Sequence, residues 1–217
     1  MQGKKLDQFI KNERHDFAKA NLEPKNLAEN PLHQLKQWIQ EAIDSGAPEP
    51  YAMNLATCVD NKPSLRVVYV REFYKEGLVF YTNYDSQKGK ELTENPYAVM
   101  NFFWPETERQ VRVAGIVEKV PAEMSDAYFA ARPDLSKIGA WASEQSNELK
   151  DRSALEKRIT ELNDKFANQE IPRPSFWGGY VLLPNEYEFW QGRKNRLHDR
   201  VNYIQVSGAW IKKRLYP

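Results

Sequence analysis

The sequence predicts a mainly β member of the α+β class, with short antiparallel strands forming a sheet or barrel and helices flanking it. Between residues 53 and 120, short runs rich in Val, Tyr and Phe follow one another and are separated by turn signals. Their spacing is too short for βαβ units. Helical patterns lie before and after this region, and further strand-like runs end the chain. We expect these late strands to return to the same sheet, which favours a single domain over residues 1–217.

Two helical patterns occupy the N-terminal region. The first is formed by apolar residues at helical spacing, Leu6, Phe9, Ile10 and Phe17. The second begins at Pro31 and ends before Gly46, because proline suits the first turn of a helix and glycine the position after its end. Residues 1–30 are therefore expected to be a helical N-terminal segment.

The remaining elements are predicted from the spacing of the apolar residues, which changes between the period of a strand and that of a helix. The strands predicted in the middle are 53–59, 65–71, 77–83, 98–104 and 110–120. A short helix over 86–94 interrupts them, with Ser86 as its N-cap. Further helices are predicted at 122–131, 135–142 and 152–166, and the last strands at 177–183, 186–190, 200–206 and 209–215.

The charge balance argues against a general nucleic-acid binder. Hydrophobic residues make up 41% and charged residues 28%, which is ordinary for a globular protein, and the formal net charge is only +1. From residue 193 to 217, however, seven Lys or Arg face one acid, Asp199. A local basic patch in a neutral protein fits a small anionic ligand better than a long polyanion.

Several other classes are excluded by motifs that the sequence lacks. Cys58 is the single cysteine, so no disulfide framework exists, and its apolar surroundings predict a buried, inert thiol. No apolar run reaches the ~20 residues of a membrane helix. With a polar N-terminus, this makes a cytoplasmic protein the expectation. There is no zinc spacing, P-loop or GxGxxG, and the three histidines do not form a hydrolytic triad.

Three groups of residues could bind an anion. Arg196, His198 and Arg200 alternate near Trp190, so in an extended segment they would share one face. Such a face suits an anionic aromatic ligand, but a solvated edge strand explains it equally well.

The other two groups fit phosphate. Lys88 at the start of the short helix, with Ser86 and Arg66, would form a phosphate site, since a helix N-terminus favours anions. Tyr128, Arg132 and Ser136 would form another, with Ser136 as the cap of the next helix. Taken singly, surface charges and a capped helix joint are the preferred interpretations.

Together these segments resemble the pyridoxine 5′-phosphate oxidase family, FMN enzymes that make pyridoxal 5′-phosphate. The resemblance runs from Leu22 to Pro217. The motifs that carry it most specifically are Phe80-Tyr81-Thr82-Asn83, Glu108-Arg109-Gln110-Val111, Ile138-Gly139-Ala140-Trp141, Pro174-Ser175-Phe176-Trp177-Gly178-Gly179 and Arg196-Leu197-His198-Asp199-Arg200.

The resemblance implies an FMN-binding split β-barrel with flanking helices, assembled as a homodimer with FMN at the subunit interface. Residues 175–217 would complete the site and the dimer interface, and residues 1–30 would act as a lid. The implied flavin contacts from one subunit are Arg66, Val67, Val68, Tyr69, Val70, Arg71, Tyr81, Thr82, Gln87, Lys88 and Gln110. Those implied from the other subunit are Gln145, Ser146, Trp190 and Arg200.

The implied substrate contacts are Arg14, Phe17, Arg71, Tyr128, Arg132, Ser136, Arg196, Leu197 and His198, with Arg196 and His198 as the catalytic pair against the pyridine ring. Three positions depart from the family pattern. Arg71 stands where the family usually has lysine, and the two are not equivalent donors. Gln87 stands where an arginine commonly helps hold the FMN phosphate, so flavin affinity is expected to be weaker. Phe17 replaces a tyrosine, which weakens the expected lid contact.

The expected reaction is oxidation of pyridoxine or pyridoxamine 5′-phosphate at C4′, with hydride transfer to flavin N5 and O₂ as the acceptor. The products would be H₂O₂ and, from the amine, NH₃. Three alternatives stay open: a related flavin oxidase acting on a phenazine-type substrate, a non-catalytic carrier of FMN or pyridoxal phosphate, and, disfavoured by the charge, an RNA-binding module. No metal, nucleic acid or membrane partner is expected.

Overall fold

The computed structural model of the chain describes residues 2–13 and 16–217. Arg14, expected to contact substrate, lies outside the described residues. The chain divides into two compact units. The terminal unit comprises residues 1–48, 103–111 and 188–217, and the central unit comprises 49–102 and 112–187. The expected single domain over residues 1–217 stays a prediction.

The helices of the terminal unit are α1 (Gln2–Asn12) and α2 (Pro31–Asp44). α1 ends before Phe17, so the expectation that Phe17 extends this helix is wrong. α2 begins as predicted, because the Asn30 side chain accepts hydrogen bonds from the backbone N–H of Leu32 and His33. Its buried face includes Trp38, which packs edge-to-face on Phe189.

The strands of the sheet are β1 (Ala52–Val59), β2 (Lys62–Tyr69), β3 (Glu72–Tyr74), β4 (Gly77–Asn83), β5 (Tyr97–Trp104), β6 (Arg109–Lys119) and β7 (Trp177–Gln191). Their order is β2-β1-β5-β6-β7-β4-β3, and the registers of β1–β2, β1–β5, β3–β4 and β4–β7 are antiparallel. The strand-rich region was thus predicted correctly. Lys62 and Pro63 fall between the predicted strands 53–59 and 65–71 but lie in β2. The turn is confined to Asp60 and Asn61, whose φ angles are 50° and 59°.

The central unit also contains α3 (Gln87–Glu94), α4 (Ala122–Ala130), α5 (Asp134–Ala142) and α6 (Arg152–Phe166). Ser86 caps α3 as predicted, with its hydroxyl accepting from Gly89 N–H. The helices α4 to α6 pack around a buried cluster that includes Phe129, Ile138 and Trp177. Ser136 is not a cap, because α5 begins two residues earlier, after Pro133.

The terminal unit ends in the hairpin β8 (Asp199–Val206) and β9 (Ala209–Leu215), paired from Arg200↔Leu215 to Val206↔Ala209. The turn at Ser207 and Gly208 was predicted correctly. The two strands predicted at 177–183 and 186–190 are instead the one strand β7, which continues through Pro184.

Across residues 2–13 and 16–217, no helix has the length and apolarity that crossing a bilayer requires.

Candidate functional site

A cleft of about 1110 Å³ opens in the central unit. It brings together most of the residues expected to bind flavin or substrate there: Arg66, Val67, Val68, Tyr69, Arg71, Tyr81, Thr82, Gln87, Lys88, Tyr128, Arg132, Ser136, Gln145 and Ser146. Val70 instead belongs to the buried core. Residues of the lining that were not expected are Ser64, Leu65, Asn83, Pro133, Gly139, Ala140, Ser143 and Trp177.

A buried ammonium lies at one end of this cleft. Lys88, 8% exposed, donates hydrogen bonds to Thr82 Oγ1 at 3.2 Å, Ser86 Oγ at 3.1 Å and Gln145 Oε1 at 3.0 Å. Burial and, secondly, the positive charge of Arg66 lower the pKa of Lys88 to about 8. This cation lies at the N-terminus of α3 and has neutral oxygens around it, so an incoming anion would stabilise it.

Arg66 is held next to this cation by an ion pair. Its Nη2 lies 2.9 Å from Glu91 Oε2, and its Nη1 donates to Leu55 O and Thr57 Oγ1. Glu91 was not among the expected site residues. Its only sequence signal was the i,i+4 spacing from Gln87, whose Nε2 donates to Glu91 Oε1 at 2.8 Å.

Aromatic rings of Tyr81, Tyr128 and Trp177 also line the cleft. Tyr81 stacks on Tyr128 with ring centroids 3.8 Å apart and on Trp177 at 5.6 Å, nearly parallel in both pairs. The Tyr81 hydroxyl donates to Glu72 Oε1 at 2.7 Å. Burial, followed by this contact, raises the pKa of Tyr81, so the hydroxyl stays protonated. Stacked rings of this kind suit a flat heterocyclic ligand.

Arg132 supplies a second cation to the cleft. It lies 4.6 Å from the Trp177 ring centroid, and its Nη2 donates to the backbone O of Ser136 at 3.0 Å. Its Nη1 is buried and has no hydrogen-bond partner among the described residues. Burial lowers the pKa of Arg132, and the charge of Arg71 lowers it further. The predicted trio of Tyr128, Arg132 and Ser136 is therefore brought together, with the Ser136 backbone as the contact.

Arg71 makes contacts with neighbouring rings that depend on its guanidinium. Its guanidinium lies over the ring of Tyr69 at 4.7 Å and of Tyr51 at 5.3 Å. The Tyr69 hydroxyl in turn donates to Glu49 at 2.8 Å. A planar guanidinium stacks on tyrosine in a way that an ammonium does not, so a return to lysine would lose these contacts.

These features fit a ligand that carries a phosphate. Lys88 is buried and Arg132 half-buried in one cleft, and the buried Nη1 of Arg132 has no hydrogen-bond partner among the described residues. The volume exceeds that of a usual small-molecule site, and the walls combine stacked rings with polar ends. FMN, with a phosphate at one end and a flat ring system at the other, matches both features.

Gln145 and Ser146 line the same cleft as Lys88, within one chain. The resemblance assigns them to the partner subunit's flavin site, and that assignment stays a prediction. Gln110 lies in β6 and is partly buried.

In the terminal unit, Phe17 packs against the expected C-terminal residues. Its ring lies edge-on to Trp190 and to His198, with centroids 5.5 Å away in each case. A Cβ at Gly192 would come within 2.6 Å of the Phe17 ring, so glycine permits this packing. The segment is anchored because Glu108 accepts hydrogen bonds from the backbone N–H of Ala18 and of the next residue, both at 2.9 Å.

The alternation of Arg196, His198 and Arg200 does not produce one shared face. A 3-10 turn spans Lys194–Arg196, with positive φ at Asn195 and Arg196, and β8 begins only at Asp199. The expectation of an extended segment through these residues is therefore wrong. Arg196 and Leu197 are exposed next to a cavity of about 690 Å³, which Leu197 lines together with residues 17–21 and 193–195.

His198 and Arg200 are each fixed by a neighbour. His198 Nδ1 accepts a hydrogen bond from the backbone N–H of Arg193 at 3.1 Å. Burial and, secondly, the charge of Arg196 lower the pKa of His198, which favours the neutral imidazole. Arg200 forms a bidentate ion pair with Glu188, with N···O distances of 2.9 and 3.0 Å.

The fold and the cleft define a class of protein that binds a flat, phosphorylated cofactor on an antiparallel sheet. Residues 39–166 match the family described as pyridoxamine 5′-phosphate oxidase, and residues 177–217 match the pyridoxine 5′-phosphate oxidase C-terminal dimerisation region. A pyridoxine/pyridoxamine 5′-phosphate oxidase of Actinobacillus pleuropneumoniae serotype 5b (strain L20) is 48% identical over 96% of this chain and 99% of its own. A protein of the same name from Nostoc punctiforme is 47% identical over 98% of this chain and 100% of its own.

Two solved structures show the same fold. PhzG from Burkholderia lata 383, in complex with tetrahydrophenazine-1-carboxylic acid, has a TM-score of 0.84 at 33% identity, covering 90% of this chain and 98% of its own. A pyridoxamine 5′-phosphate oxidase-related, FMN binding protein from Nostoc punctiforme has a TM-score of 0.65 at 18% identity, with the same coverage.

The chain belongs to the pyridoxamine 5′-phosphate oxidase family. This confirms the predicted resemblance, the oxidoreductase class, the α+β split-barrel fold and FMN as the cofactor. A dimerisation region at residues 177–217 agrees with the expected homodimer.

Proposed function

We propose that this chain is an FMN-dependent oxidase that converts pyridoxine 5′-phosphate or pyridoxamine 5′-phosphate to pyridoxal 5′-phosphate. The alcohol and O₂ give the aldehyde and H₂O₂. The amine, O₂ and water give the aldehyde, NH₃ and H₂O₂. It would work as a homodimer in the cytoplasm. Support comes from relatives of that name that are nearly half identical over almost the whole chain.

The observation that carries the proposal is the presence of two separate cations in one cleft, buried Lys88 and half-buried Arg132. An oxidase of this type needs two phosphate sites, one for the cofactor and one for the substrate. We assign the flavin phosphate to Lys88 with Arg66 and Gln87, and the substrate phosphate to Arg132 with Tyr128 and the first turn of α5. Arg71 would serve both ligands.

The protein would contribute binding, orientation and protection from water. The bound flavin supplies the hydride acceptor, N5, and is reoxidised by O₂. The protonated Tyr81 offers an uncharged flat surface, because its hydroxyl is committed to Glu72. Holding the substrate phosphate at Arg132 fixes the far end of the substrate, so that its C4′ is held close to the acceptor, which is a proximity effect.

For the C-terminal residues we propose the roles that the resemblance implies. Arg196 would cover the pyridine ring, and neutral His198, whose Nδ1 accepts from Arg193 N–H, would donate a hydrogen bond from Nε2–H to the reacting alcohol or amine. The Phe17 ring would act as an apolar lid over His198, in place of a hydroxyl contact. Trp190 and Arg200 would contact the flavin of the partner subunit.

The decisive experiment is the absorption spectrum of the purified protein, followed by O₂ uptake with each vitamer. We expect a bound flavin spectrum and O₂ consumption with both phosphorylated vitamers. Unphosphorylated pyridoxine should be much poorer, because Arg132 would have no partner. A yellow protein that consumes no O₂ with either phosphorylated vitamer would contradict the proposal and favour a non-catalytic carrier.

A second candidate is a flavin oxidase acting on a phenazine-type substrate. The likeness to PhzG from Burkholderia lata favours it, since that structure holds tetrahydrophenazine-1-carboxylic acid. Turnover of this compound, with no preference for phosphorylated pyridoxine, would support this candidate. We rank this candidate second because the chain is 48% identical to a pyridoxine/pyridoxamine 5′-phosphate oxidase and 33% identical to PhzG.

A further inference from the structure

A carboxylate lies beside the end of the cleft where we place the flavin phosphate. Glu91, on the second turn of α3, uses both of its oxygens. Oε2 accepts from Thr57 Oγ1 at 2.5 Å and from Arg66 Nη2 at 2.9 Å. Oε1 accepts from Ser64 Oγ at 2.7 Å and from Gln87 Nε2 at 2.8 Å. The carboxylate is thus held by four donors from three elements.

Three of these donors line the cleft, namely Ser64, Arg66 and Gln87. They are also the kind of groups that bind a phosphate: a guanidinium, a hydroxyl and an amide. In this structure they donate to Glu91, and Gln87 Nε2 also reaches Ser64 Oγ at 3.1 Å. An anion that enters the cleft must therefore either share these donors with Glu91 or bind next to an unneutralised carboxylate.

Glu91 is an anion throughout the neutral range. Burial raises the pKa of Glu91, but the hydrogen bonds from its four donors outweigh burial and bring the pKa down to about 2. Its charge cancels that of Arg66, with which it forms the ion pair. Of the two cations Arg66 and Lys88, Arg66 is balanced by this ion pair. Among the described residues, Lys88 has no such partner.

We propose that Glu91 acts as an internal competitor of the flavin phosphate and sets the affinity of this chain for FMN. In the flavin-free chain it stabilises Arg66, Ser64 and Gln87 by pairing with them. When FMN binds, the same carboxylate repels the phosphate and retains part of the donors. This inference rests on the proposed function, because it assumes that the flavin phosphate lies at Lys88 and Arg66.

The test compares Glu91→Gln with the unaltered chain, each freed of flavin, by titration with FMN and with riboflavin at pH 7.5. Binding is followed through the change in flavin fluorescence. Glutamine keeps the size of the side chain and can still accept from Arg66. We expect FMN to bind about tenfold more tightly to Glu91→Gln, since one anion near the phosphate is removed. Riboflavin, which lacks the phosphate, should bind with unchanged affinity.

Glu94→Gln is the matched control, because it removes the same charge from an exposed position in the last turn of α3. It should leave both affinities unchanged. Unchanged or weaker FMN binding in Glu91→Gln would overturn the inference. Equal tightening of FMN and riboflavin would also overturn it, because the effect would not depend on the phosphate.

Gln87→Arg covers the case in which Glu91→Gln does not fold. It retains Glu91 and places a guanidinium beside it, so FMN should again bind more tightly and riboflavin should not. No gain for FMN would count against the inference. A failure of the proposed function would give another result. The unaltered chain would then bind FMN no better than riboflavin, and this would overturn the placement of the flavin phosphate at Lys88 and Arg66. Tighter binding of FMN than of riboflavin, without any gain in either variant, would reject only the role of Glu91.

Discussion

The affinity of the chain for FMN should fall as the pH rises through about 8, because of Lys88. This ammonium is buried among three neutral oxygens, and its pKa is lowered to about 8 from an ordinary value of 10.5. A bound phosphate would raise that pKa again, since an opposite charge favours the protonated amine. If the flavin phosphate lies at Lys88, FMN should therefore bind with uptake of a proton above pH 8, and binding should weaken as the pH rises further.

The magnitude of this pH effect follows from the size of the pKa shift of Lys88. A difference between 8 and 10.5 corresponds to about 3 kcal/mol of unfavourable charge burial in the flavin-free chain. The unfolded chain binds more protons than the folded chain between these two values, so the stability of the flavin-free chain rises with pH across this window. The FMN dissociation constant should increase up to about tenfold per pH unit above 8, because one proton is linked to binding.

The assay is FMN titration by fluorescence from pH 7 to 9.5 with the unaltered chain and with Lys88→Met. The variant should bind FMN about 30-fold more weakly at pH 7, since it lacks one charge-assisted hydrogen bond. Its remaining affinity should not depend on pH. A pH-independent dissociation constant in the unaltered chain, or the same slope in Lys88→Met, would refute the role of Lys88.

Three further predictions concern the other cations. Arg132→Met should raise KM for pyridoxine 5′-phosphate about 30-fold, with a smaller effect on kcat, in steady-state kinetics, because a charge-assisted contact to the substrate phosphate is lost. Arg196→Leu should lower kcat/KM about 100-fold with flavin still bound, and near-normal turnover would remove Arg196 from catalysis. The same substitution should also raise the pKa of His198, measured by NMR titration, because it removes the positive charge that, after burial, lowers this pKa. Arg200→Ala should lower the free energy of unfolding by about 3 kcal/mol in urea, since it removes the bidentate partner of buried Glu188, and Arg200→Lys should lose less.

The sequence predicted those elements whose signals are local. α2 and α4 to α6 lie where apolar periodicity and capping residues predict them, within one or two residues at each end. Ser86 was recognisable as a cap because its hydroxyl bonds to the backbone three residues ahead. The phosphate-binding interpretation of Lys88 rested on the same local rule, that a helix N-terminus favours anions.

Features that depend on distant contacts were not predictable. The Arg66–Glu91 ion pair joins residues 25 positions apart, and no spacing rule links a strand residue to a helix residue. The turn at Arg196 requires positive φ at two non-glycine residues, which is sparsely populated and must be stabilised by the surrounding structure. The strands predicted at 177–183 and 186–190 leave out Pro184, although β7 continues through it.

The central claim, that this cleft holds FMN and oxidises a phosphorylated B6 vitamer, is tested most directly by one measurement. O₂ uptake is recorded with the FMN-loaded protein and equal concentrations of pyridoxine 5′-phosphate and pyridoxine. The account predicts O₂ consumption with formation of pyridoxal 5′-phosphate from the first compound and little reaction with the second. Equal rates with the two compounds, or no O₂ consumption with either, would contradict it.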